Sequence, residues 1–221
     1  MHTVEQARET ILKELISDDT DVRIEYLKLF EANAKAFADY MALAFIGWRS
    51  FDNKVKGDIR RAHLSAFVYS AITLHILSLK LLLSGYTVAA GNLSRQVIEC
   101  IALALLCSCK DIDVLTRFME DKYSSTVAIR DVLRHYKKLS LKGDALEVLK
   151  KSQDFYHKYS HVTKLTLAIG MSFSKEKGLY VGASFDEGKV GMYTKEVNGR
   201  VSLAKIFPNF IEGVAANAAK W

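Results

Sequence analysis

The chain has 221 residues, half of them hydrophobic and a quarter charged, with a formal net charge of +6 and one proline, Pro208. These proportions exclude a disordered or collagen-like polymer and fit a single globular unit with a sizeable core. The shortage of proline favours long helices, because proline lacks a backbone donor and clashes inside a helix. The cysteines, Cys100, Cys107 and Cys109, all fall in one apolar run. That placement suits small buried thiols in a reducing compartment better than a disulfide framework. The opening segment is acidic and has no apolar stretch of the secretory kind, so the sequence predicts a cytoplasmic protein.

In chain order, Val4, Ala7, Ile11 and Leu15 recur at helical spacing and predict a first helix to Ile16, closed by Ser17-Asp18-Asp19-Thr20. A longer helix follows from Val22 to Trp48, with Tyr26, Phe30, Phe37, Met41 and Phe45 on its apolar side. Residues 59–84 are apolar on nearly every face after Arg60 and Arg61, and a second very apolar helix runs from Val88 to Cys109. Each is long enough to span a bilayer. Arg95 and Glu99 in one, and His75 and Lys80 in the other, make insertion costly at roughly 2.5–3.5 kcal/mol per central charge. The pair is therefore expected to form a soluble core, with no membrane insertion.

Further helices are expected over 114–139 and from Gly143 through His161 towards Ile169. Beyond Gly170 glycine becomes frequent, and Leu179–Phe185 and Val190–Lys195 have the look of short strands. Asp186-Glu187-Gly188 and Asn198-Gly199 supply hairpin turn signals. The expected fold is mainly α: one domain over 1–221, with a helical bundle over about 1–170, a small β-hairpin or meander over about 178–202, and a last helix over about 203–221.

Charge is unevenly spread. Residues 1–31 hold four Lys/Arg against eight Asp/Glu, whereas 130–158 hold eight against four. The second segment is suited to RNA or another acidic partner, although a solvated helix face can look the same.

Three constellations could carry chemistry. Arg95 and Glu99 stand four residues apart on one face of an apolar helix. Burying them requires pairing, either as an internal ion pair that fixes register or as part of a polar site. His157 and His161 also share a helical face, and with Glu99 or His75 they would supply a metal centre; otherwise they are ordinary surface groups. Arg130 and His135 lie about one and a half turns apart, where two protomers could gather both pairs around an RNA phosphate. There the arginine would stabilise developing charge and the histidine would move a proton. No glycine-rich phosphate loop, nucleophile elbow, H-E-x-x-H or C-x-x-C pattern occurs, and the sequence calls for no cofactor.

The order Arg95-x-x-x-Glu99, then Tyr156-x-x-x-Ser160-His161, then a glycine-rich segment and a last helix resembles a group of bacterial all-helical proteins distantly similar to the HEPN superfamily. The likeness covers residues 60–170. It implies a helical bundle, commonly a homodimer, and in many members a metal-independent ribonuclease of a defence or toxin system acting through an arginine and a histidine a few residues apart. Arg130 and His135 match that motif here. The reading expected from the sequence is thus a homodimeric binding or interaction module of a bacterial stress or defence system, with Arg95, Glu99, Ser160 and His161 lining a polar cavity. The alternatives are a HEPN-like endoribonuclease using Arg130 and His135, and a metal-dependent enzyme using Glu99, His157 and His161.

Overall fold

The computed structural model describes residues 3–141, 143–171 and 182–221. Its elements are α1 (Val4–Ile16), α2 (Thr20–Asp52), α3 (Ile59–Leu83), α4 (Thr87–Ser108), α5 (Val114–Met119), α6 (Ala128–His135), α7 (Gly143–Tyr156), α8 (Lys164–Ile169) and α9 (Val190–Ala218), joined by short 3-10 turns. The mainly helical expectation holds.

Local chemistry sets the helix starts. Thr3 and Gln6 form a reciprocal capping box at α1, each side chain accepting from the other's backbone N–H. Asp58 caps α3 by accepting from the N–H groups of Arg60 and Arg61 at 3.0 and 3.1 Å. Between α3 and α4 the chain turns at Gly85, whose φ of +88° favours glycine. A Cβ there would also lie 2.6 Å from the backbone nitrogen of Ser184, so the turn is tucked against the residues leading into α9.

The short connection makes α3 and α4 an antiparallel hairpin with the most extensive packing in the molecule, and α2 and α9 form the next most extensive pair. α4 is central: α3, α5, α6, α7 and α9 all pack on it. Its all-round apolar sequence follows from that position, and Val97, Ile98, Ile101, Ala104 and Leu105 are all buried. By length and composition α3 and α4 could each cross a membrane; within the fold 44% and 67% of their most apolar stretches are buried.

The expected β-hairpin is not supported. Its first strand, Leu179–Phe185, lies partly outside the described residues, and the described remainder is irregular. Asp186-Glu187-Gly188 is not a hairpin turn: the Asp186 carboxylate accepts from the N–H of Gly188 at 2.9 Å and opens a 3-10 turn into α9. Val190–Lys195 and Asn198-Gly199 lie inside α9, which begins at 190 and not near 203. The reason is periodicity. Tyr193, Val197, Ala204, Phe207, Ile211 and Val214 are all buried at helical spacing, whereas a strand of period two would have exposed part of that set. Gly199 costs the helix roughly 1 kcal/mol relative to alanine, and burial of that face outweighs it.

Two long helices expected from the sequence are also divided. The 114–139 stretch breaks after Met119, where Asp121 takes a left-handed φ of 56°, and resumes as α6. The helix expected from Gly143 through His161 ends at Tyr156 and passes into a 3-10 turn over His157–Tyr159.

Candidate functional site

Arg95 and Glu99 do meet. The arginine Nε donates to Glu99 Oε1 at 2.9 Å, and the Ser125 hydroxyl donates to Glu99 Oε2 at 3.0 Å. Their side chains keep 24% and 17% of their exposure, so the pair sits at the edge of the core. Both carboxylate oxygens are occupied, and the carboxylate pins the 3-10 turn at Ser125–Val127 to α4. The pairing that the spacing called for is thus formed, with Ser125 as a third member.

A second and far more buried polar group lies deeper, and the sequence reading missed it. Glu196 and Arg200, one turn apart on α9, are both buried, with Arg200 Nη1 donating to Glu196 Oε2 at 2.5 Å. The other carboxylate oxygen, Oε1, accepts a very short hydrogen bond from the Tyr159 hydroxyl. Arg200 Nε donates to Ser78 Oγ at 3.3 Å, and its guanidinium lies 5.5 Å from the centre of the Tyr156 ring. Burial, reinforced by the Glu196 carboxylate, holds the Tyr159 phenol well above its usual pKa, so it stays a donor.

His75 completes this core. Its Nε2 lies 3.0 Å from the Arg200 carbonyl oxygen, and its ring stacks on Phe207 at 5.1 Å and tilts against Phe37 at 4.9 Å. Burial pulls its pKa down to about 3, so the ring is neutral near pH 7. Three buried side-chain atoms have no hydrogen-bond partner among the described residues: His75 Nδ1, Ser160 Oγ and Arg200 Nη2.

The segment after α7 seats on this group because Gly91 of α4 makes room for it. A Cβ at Gly91 would come within 2.3 Å of the Tyr159 ring. The signal that could have revealed the site is Glu196-x-x-x-Arg200, the same four-residue spacing as Arg95-x-x-x-Glu99. It is visible only when residues 190–218 are read as a helix.

The remaining candidates are dispersed. His157 and His161 are exposed, with ring centres 4.7 Å apart. Glu99 is engaged by Arg95 and Ser125, and among the described residues no group of three His, Cys, Asp or Glu side chains is placed to hold a metal ion. Ser160 follows Tyr159 with its hydroxyl turned into the protein, while His161 faces solvent. Arg130 is exposed on α6 and His135 is half-buried. Between them Asp131 accepts from the Tyr123 hydroxyl at 2.9 Å and lies 3.4 and 3.8 Å from the guanidinium groups of Arg130 and Arg134. Its carboxylate offsets positive charge where a phosphate would have to bind.

Two surface features stand apart from these clusters. The first is α1, which buries none of its residues: Val4 keeps 89% of its exposure and Leu15 76%. The second is a largely apolar groove of about 440 Å³ between the C-terminal parts of α2 and α9. Leu43, Phe51, Pro208 and Ile211 line it, with Lys54 and Arg61 beside them. Both are lined mainly by apolar side chains. A comparison with known protein families, characterised proteins and solved structures finds no match to this chain.

Proposed function

We propose that this chain is a binding and interaction module that engages its partner through α1. One observation supports the reading: a 13-residue helix carrying Val4, Ala7, Ile11, Leu12, Leu15 and Ile16 buries none of its residues. An isolated helix of about this length is marginal in water, so an apolar face of this kind gains its stability from whatever covers it. The setting in a bacterial stress or defence system comes from the HEPN likeness. α3 and α4 are read as the core of a cytoplasmic protein, since both are packed by neighbouring helices.

Amide hydrogen exchange tests the reading. In the purified chain at micromolar concentration, α1 amides should exchange far more slowly than those of a free helix, and Leu15→Asp should abolish that protection while leaving α4 and α9 protected. Protection of α1 that is the same in Leu15→Asp as in the wild-type chain would overturn it, since the apolar face would then not be what is covered.

The ribonuclease reading is the alternative, supported by the exposure of Arg130 together with Arg134, Lys137 and Lys138 on and just after α6. RNA cleavage that survives EDTA and vanishes in both Arg130→Ala and His135→Ala would put it first.

A further inference from the structure

We infer that the occupant of the α2/α9 groove is α1 of a second copy of this chain, so that two copies exchange their N-terminal helices reciprocally. The inference rests on the interaction-module reading and names the partner. Each unpartnered surface has what the other lacks. α1 offers an apolar stripe at helical spacing, and the groove offers an apolar trough of about 440 Å³ of the kind into which an amphipathic helix lays its apolar face. Small side chains at Gly47, Ala215, Ala218 and Ala219 keep the trough open.

Charge agrees with this pairing. α1 carries Glu5, Glu9 and Glu14 against Arg8 and Lys13, a net −1. The groove carries Lys54 and Arg61 against Glu212, a net +1. Lys54 makes no ion pair among the described residues, whereas Arg61 is shared with Asp58 at 3.4 Å and with the Ala218 carbonyl oxygen. The acidic balance of α1 also disfavours an anionic lipid surface, which selects amphipathic helices rich in lysine and arginine.

The chain's own α1 cannot reach the groove. Its C-terminal end is held near the start of α2, where Glu14 accepts from the Tyr86 hydroxyl at 2.9 Å and from the backbone N–H of Ala183 at 3.1 Å. At about 1.5 Å per residue, the groove begins roughly 35 Å further along α2, while α1 spans only about 20 Å. An antiparallel arrangement of two α2 helices about a two-fold axis brings each α1 to the other copy's groove and closes the assembly.

Sedimentation equilibrium over a hundredfold concentration range tests this. The wild-type chain should be a dimer. Leu15→Asp on α1, and Ser50→Trp or Ala219→Trp in the groove, should each weaken dimerisation at least tenfold. These positions are exposed, so far-UV circular dichroism should show the monomer fold intact. Lys54→Glu should weaken association, and adding Glu9→Lys should restore part of it. A wild-type monomer across the range overturns the inference. A dimer lost in Leu15→Asp but unaffected by both tryptophans also overturns it, showing α1 packed against its twin and leaving the interaction-module reading intact.

Discussion

At the scale of single residues, Glu196 and Arg200 form an ion pair whose two side chains are both buried in the core. Breaking a buried pair by removing one partner costs about 3–5 kcal/mol, because the other charge is left in the core. Arg200→Met should therefore lower unfolding free energy by about that amount in urea titrations, and Glu196→Gln/Arg200→Met should lose less than the sum of the single changes. His75 makes a separate, pH-dependent contribution. Its folded pKa of about 3 lies below the ordinary 6.5, so in that interval the unfolded chain takes up a proton that the folded chain refuses. Stability is then complete above pH 6.5 and falls as pH drops towards 3, at up to about 1.4 kcal/mol per unit from this group. His75→Phe should flatten that part of a pH–stability curve. A curve of unchanged slope in the variant would show that other groups govern it.

At the scale of elements, the close seating of the 157–159 turn on α4 makes Gly91 the least replaceable small residue there. Gly91→Ala should destabilise by about 1–3 kcal/mol through overpacking, despite alanine's better helix propensity, and thermal melts should show a lower Tm. Much of the helical plan was legible because its signals are long: thirteen residues of period-3.6 pattern in α1, and the all-round apolar α3 and α4 that a central position demands. α9 was illegible for a local reason. Glycine at 191 and 199 and asparagine at 198 are turn formers in isolation, and only the burial of Tyr193, Val197 and Phe207 along one face overrides them. That misreading also hid Glu196 and Arg200, since four-residue spacing has meaning only on a helix. Arg95 and Glu99 were found because the apolar run around them is unambiguously helical.

At the scale of the whole molecule, stability should depend on protein concentration. If two copies cover each other's α1, mass action raises the apparent Tm as concentration rises, and calorimetry should register an increase that is absent in Leu15→Asp. The device that aims α1 is small. The Tyr86 hydroxyl lies 2.9 Å from Glu14 and 3.1 Å from Asp19, and burial together with these two acceptors raises its pKa, so it remains protonated. A phenol has one hydrogen to give. Only one of the two carboxylates can hold it at a time, and when it turns to Asp19, Glu14 still accepts from the Ala183 N–H. The base of α1 is therefore tied on its Glu14 side by donors from two separate parts of the chain, so that removing the phenol in Tyr86→Phe would still leave the Ala183 N–H in place.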